Sequence, residues 1–156
     1  MALKQELGLK KGFTVLEHEA VLNIYYTASL IKKQASEFFR TFGLTDVQFN
    51  VLMLLYYQSG PEEGLSQVQL SDMMLVNRAN ITSLIDRMEK AGLVVRTDAE
   101  NDRRYNIVKM TGKGRKLLAK AEPMYAKLVK KMMTSTGSAE QKKLITVLEK
   151  IRNRLN

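Results

Sequence analysis

At 156 residues, with 45% hydrophobic and 26% charged side chains, the chain has the make-up of an ordinary globular domain and not of a disordered segment. It has no cysteine and a single histidine, which excludes disulfide scaffolds, thiolate zinc sites, iron–sulfur clusters and cysteine-based redox sensing, and leaves no metal and no cofactor to expect. A net charge of +9 points to an anionic partner such as nucleic acid or to well-solvated lysine-rich helices, and with no apolar run longer than Val51 to Tyr57 and no signal-like N-terminus a cytoplasmic protein is expected.

In chain order, Thr14-Val15-Leu16-Glu17 has the spacing of a capping box and predicts a helix start. Val21, Ile24, Tyr25, Ala28, Ile31, Ala35, Phe38, Phe39 and Phe42 then recur at helical spacing until Gly43. Thr45-Asp46-Val47-Gln48 opens a second helix carried by Phe49, Leu52, Met53, Leu55 and Tyr56, ending before Gly60-Pro61. Ser66-Gln67-Val68-Gln69 opens a short third one. Asn77 can cap a fourth, in which Ile81, Leu84, Ile85 and Met88 form one apolar stripe before Gly92.

The period then changes. Leu93 to Arg96 and Tyr105 to Met110 read as two short strands, with the polar stretch Thr97 to Arg104 as the hairpin loop. Thr111 can cap a long helix over about 112–134, where Pro123 predicts a kink or break. Ser138-Ala139-Glu140-Gln141 is a further capping box. Leu144, Val147, Leu148, Ile151 and Leu155 make one stripe in the last helix, which needs a cover: a second copy or the chain's own first helix.

Short helix, turn, amphipathic helix and hairpin over residues 66–110 is the order of a winged helix-turn-helix, in which the second helix enters the major groove and the hairpin meets the backbone or minor groove. The fold class is therefore mainly α with a small β-hairpin wing. Opposite its apolar stripe, the fourth helix carries Arg78, Asn80, Thr82, Ser83, Asp86, Arg87 and Lys90. Arg forks suit guanine or phosphate, an amide suits adenine, and hydroxyls suit phosphate or base edges, although any surface helix turns polar residues outward. In the wing, Asp102, Arg103 and Arg104 put two guanidinium groups beside a carboxylate, and the strong negative potential of a narrow minor groove attracts such a pair.

The stretch from Asn80 to Val94, followed by Asp102-Arg103-Arg104, Val108, Met110, Thr111 and Gly114, resembles the MarR family of bacterial transcriptional regulators. The resemblance extends from about Leu16 to Leu155. It implies a homodimer with interlocking terminal helices: 1–44 as N-terminal arm and first dimerisation helix, 45–110 as the DNA-binding domain, and 111–156 as C-terminal dimerisation helices. It implies double-stranded DNA as partner, Arg104 in the minor groove with Asp102 holding its guanidinium, and Arg103 sharing that role or taking a phosphate. Leu144, Leu148, Ile151 and Leu155 would form the dimer seam. The family commonly represses, and leaves its pseudo-palindromic operator when a small, often aromatic and anionic effector binds. Tyr25, Tyr26, Phe49 and Met53 lie where the resemblance places part of that crevice, though such residues at helical spacing equally build a core.

The charge excess is confined to residues 111–156, with twelve basic and three acidic side chains, whereas 77–104 carry six and five. Charge so placed acts as a long-range field that strengthens non-specific binding. No nucleophile elbow, phosphate loop or metalloprotease motif is present, so an enzyme is not expected. The competing function is a ligand-independent architectural or non-specific DNA-binding protein.

Overall fold

The computed structural model describes residues 2–60, 63–74, 78–99 and 102–155, with the backbone alone for Arg78, Ala79, Ala99 and Asp102–Tyr105. Two compact units emerge, Met1–Arg115 and Lys116–Asn156.

In the first unit a short helix α1 (Leu3–Glu6) precedes α2 (Leu16–Arg40), α3 (Asp46–Tyr57), β1 (Gly64–Ser66), α4 (Gln67–Met74), α5 (Arg78–Lys90), β2 (Val94–Ala99) and β3 (Asp102–Met110). Helix α2 does not use the Thr14 capping box. Val15 occupies the cap position in extended conformation and no side chain caps the helix, because the chain enters one residue too late for the Thr14 hydroxyl. At its other end the chain reverses through Gly43, whose φ of +67° suits a residue without Cβ. The Thr45 box does form: Thr45 Oγ1 accepts from the Gln48 amide at 3.2 Å and Gln48 Oε1 accepts from the Thr45 amide at 2.9 Å. Ser66 and Gln69 repeat the arrangement at 3.2 and 2.8 Å and start α4. The expected cap Asn77 lies outside the described residues.

The sheet has three antiparallel strands in the order β1-β3-β2. Strand β1 was not expected; it pairs Gly64, Leu65 and Ser66 with Lys109, Val108 and Ile107. The hairpin is also longer than the sequence predicts. Strand pairing runs from Val94↔Met110 out to Asp98↔Asn106 and, after a register shift, Ala99↔Asp102, so most of the stretch expected as loop is strand. Cross-strand backbone bonding outweighs the low strand propensity of Asp98 and the charges of Arg103 and Arg104.

The core of this unit joins α2 to α3, α4, α5 and the sheet. Phe39 stacks on Phe49 with ring centroids 4.4 Å apart. Around them lie Val51, Leu52 and Leu55 of α3, Leu70 of α4, Ile81, Leu84, Ile85 and Met88 of α5, and Val94 and Val108 of the sheet, all buried. Of the apolar stripe on α2 only Ala35 and Phe39 are buried; Val21, Ile24, Tyr25 and Ile31 stay exposed.

The second unit holds the greater part of α6 (Gly112–Met132) and α7 (Ser138–Leu155). Helix α6 runs through Pro123 as one element, so the expected break does not occur. Helix α7 begins one residue earlier than its predicted box, which would have made Ser138 the cap. Gly137 precedes it and donates its amide to Glu140 Oε2 at 2.8 Å, while Gln141 Nε2 turns back to the Thr136 carbonyl at 3.0 Å. No residue of α7 is buried. Among the described residues no helix is long and apolar enough to cross a membrane.

Candidate nucleic-acid interface

Helix α5 is positioned by its own stripe: Ile81, Leu84, Ile85 and Met88 face the core at i, i+3, i+4 and i+7 and are no more than 4% exposed. The opposite face follows from that. Asn80, Thr82, Ser83, Asp86, Arg87 and Lys90 are all exposed, and Arg78 stands at the first turn of the helix by its backbone. Arg87 Nε donates to the Ser83 carbonyl at 3.2 Å, which lays the guanidinium along the helix. Asn80, Leu84 and Arg87 line a cleft of about 300 Å³ with Thr45, Asp46 and Val47 at the start of α3.

The wing begins with β2 at Val94, and one side chain, seven residues after Glu89, ties it to α5. Arg96 of β2 puts Nη2 2.6 Å from Asp86 Oδ1 and Nη1 2.7 Å from Glu89 Oε2. Its backbone amide donates to Glu89 Oε1 at 2.9 Å, so one carboxylate holds both main chain and side chain of the same residue. The Glu89 carboxyl is held below its ordinary value chiefly by that amide, aided by the Arg96 guanidinium, against lost hydration and the charge of Asp86. Sequence reasoning missed this cluster. Its signal was two carboxylates at i, i+3 on a helix that the sequence led one to expect against a polyanion, a combination that calls for a nearby cation.

At the base of the wing, Thr111 Oγ1 donates to the Gly92 carbonyl, lies 3.1 Å from the Leu93 carbonyl oxygen and accepts from the Gly114 amide at 3.1 Å. Lys113 Nζ reaches the Ala91 carbonyl at 2.6 Å. The end of α5 and the start of α6 are thereby bonded directly to each other. Gly114 packs so tightly that an added Cβ would strike the Leu93 carbonyl and come within 2.9 Å of Met110 Cγ.

The remaining sequence-predicted residues are distributed as follows. Asp102, Arg103 and Arg104 open β3, where the backbone is described and the side chains are not. Leu144, Ile151 and Leu155 are exposed on α7 and Leu148 is half-buried. Phe49 belongs to the core at 2% exposure, Tyr25 is 71% exposed, and Tyr26 and Met53 are intermediate. None of these four lines the cleft beside α5 or a second cleft of about 190 Å³, formed by Leu55, Tyr56, Met110 and Arg115 with Ser59, Gly60 and Glu63. In the latter the Arg115 guanidinium carbon lies 6.0 Å from the Tyr56 ring centroid. Among the described residues no three metal-ligating side chains lie together.

Comparison with known proteins places this architecture. Residues 42–104 match the MarR family model. The chain is 29% identical over 146 residues to YkoM, an uncharacterised HTH-type transcriptional regulator of Bacillus subtilis, spanning 91% of this chain and 92% of that protein. Its fold superposes on AbsC, a MarR family transcriptional regulator from Streptomyces coelicolor, with a TM-score of 0.84 at 22% identity over 94% of this chain and 98% of that one. It is also similar to S. aureus MepR in a DNA complex, with a TM-score of 0.80 at 18% identity over 91% and 100% of the two chains. The winged helix-turn-helix built by α3, α4, α5 and the sheet is the fold of these solved structures, and over residues 42–104 the chain is similar to the MarR family of transcriptional regulators.

Proposed function

We propose that the chain works as a homodimeric repressor in the cytoplasm, each subunit presenting α5 to the major groove of a pseudo-palindromic operator. The observation that carries this is the exposed polar face of α5, with Asn80, Thr82, Ser83 and Arg87 opposite a fully buried apolar stripe and next to the wing. Arg78 at the start of the helix completes the set. Asp102, Arg103 and Arg104 on β3 take the minor groove, with Arg104 the inserted guanidinium and Asp102 its holder. The exposed stripe of α7 through Leu144, Ile151 and Leu155, with Leu148 among them, and the exposed half of α2 supply the seam between subunits.

A small aromatic anion releases the operator. Tyr25, Tyr26, Phe49 and Met53 remain the family-derived candidates for its crevice. The cleft at Tyr56 and Arg115, which offers an aromatic face and a cation together, supports the same ligand chemistry.

Fluorescence anisotropy at several salt concentrations tests the proposal, comparing DNA upstream of the protein's own gene with scrambled DNA. A preference for the upstream DNA at physiological salt, lost on adding an aromatic carboxylate or phenol, is the expected result. Equal and steeply salt-dependent binding to both, with no duplex preferred in selection from a random pool, would favour an architectural protein.

A further inference from the structure

We infer that Arg96 is a positioning residue of the DNA-reading head: it contacts no DNA itself and sets the angle between recognition helix and wing by bridging Asp86 and Glu89. This rests on the DNA-binding function proposed above. The bridge spans a full turn of α5. Nη2 reaches Asp86 at 2.6 Å and also lies 3.5 Å from the Thr82 carbonyl oxygen, while Nη1 reaches Glu89 at 2.7 Å. Those three positions follow i, i+4, i+7 and mark one line along the helix, so the guanidinium fixes β2 against a stretch of α5 and not against a single point. The Glu89 bond to the Arg96 amide adds the main chain to the clamp.

Two features argue that Arg96 acts through its neighbours. Its side chain is 19% exposed, against 50% for Asp86 and 37% for Glu89, so the cation lies beneath the carboxylates it serves. Both ends of its planar fork are also engaged, leaving little of the guanidinium to offer a phosphate. The carboxylates themselves stand on the helix that must approach a polyanion. Unneutralised, they would repel phosphate and each other. A lysine in place of Arg96 keeps the charge but is a point donor, unable to hold both carboxylates and the geometry at once.

The test uses the full-length protein and a duplex that the wild type selects from a random pool, with scrambled duplex as reference. Arg96→Met is expected to weaken binding to the selected duplex by about tenfold or more, and Arg96→Lys by several-fold, with a smaller loss on scrambled DNA. Asp86→Asn with Glu89→Gln adds positive charge, so binding to scrambled DNA should rise while the preference for the selected duplex falls. In free Arg96→Met protein, the amides of β2 should exchange hydrogen faster than in the wild type.

Unchanged preference in Arg96→Met would overturn the inference. So would a uniform loss on both duplexes with the slope of log affinity against log salt reduced by about one, the mark of a direct phosphate contact. A doubly neutralised variant that keeps full preference would show that charge alone matters and the bridge does not. If the wild type selects no duplex, the function proposed above fails by itself, and the exchange measurement still decides: unaltered β2 protection in Arg96→Met removes the clamp, and lost protection upholds it.

Discussion

The Thr111 hydroxyl donates to the Gly92 carbonyl oxygen at 2.7 Å, joining the turn that ends α5 to the residue just before α6. The same oxygen caps α6 by accepting the Gly114 amide. Thr111→Val keeps the shape and removes both bonds, and is expected to cost about 1–2 kcal/mol of stability. Thr111→Ser should retain most of it. Urea midpoints at constant slope check the difference.

Gly114→Ala meets the same junction sterically. The added methyl would strike backbone, the Leu93 carbonyl, as well as the more yielding Met110 side chain. Because the carbonyl is fixed by the Thr111 amide at 3.1 Å, the loop cannot give way cheaply. A loss of about 2–3 kcal/mol is expected, read from thermal unfolding. Gly112→Ala, where nothing lies within 4 Å, is the control.

Glu89 gives a pH signature. Its folded-state pKa lies below the ordinary 4.5, chiefly through the hydrogen bond from the Arg96 amide. A depressed carboxylate pKa contributes stability above the unfolded value and loses it as pH falls through the folded one. Glu89→Gln should therefore lower stability relative to wild type near neutral pH, with the gap closing below 4.5. Parallel urea titrations across that range measure it; a gap independent of pH would assign the loss to packing.

Arg104→Ala should weaken operator binding by about 1–3 kcal/mol, the worth of a positioned Arg contact. Arg103→Ala should cost less and act evenly on operator and random DNA. Anisotropy titrations of both variants separate the two arginines, and identical losses would remove the distinction drawn between them.

Leu148→Asp with Ile151→Asp puts two charges on the α7 stripe. Ile151 is exposed and Leu148 half-buried, so the folded subunit should tolerate them. Sedimentation velocity is expected to find monomer where the wild type sediments as dimer. A persistent dimer would place the seam elsewhere.

The helices and the exposed polar face of α5 were legible because their signals are local. Ile81, Leu84, Ile85 and Met88 declare α5 by period, and Thr45 and Ser66 declare helix starts by capping chemistry. The misses are non-local or a matter of one residue. A three-residue strand such as Gly64–Ser66 has too little sequence to show a period, and only its pairing with Ile107–Lys109 defines it. Charge masked the outer wing, where Arg103 and Arg104 looked like loop but continue a strand. The Thr14 and Ser138 boxes failed because the same pattern fits two adjacent starts, and the chain's entry into the helix picks one. The Arg96 bridge joins positions ten and seven residues apart across two elements, beyond any motif spacing.

The short reach of β1 has a consequence for solubility. It covers β3 only from Ile107 to Lys109, so among the described residues the outer part of β3 has a strand on one side alone. An uncovered strand edge invites another chain to add itself, and charged residues are a common guard against that. Arg103 and Arg104 stand on that outer stretch. Neutralising both at once removes the guard, so a double variant that precipitates reports on sheet-to-sheet association and says nothing about operator recognition.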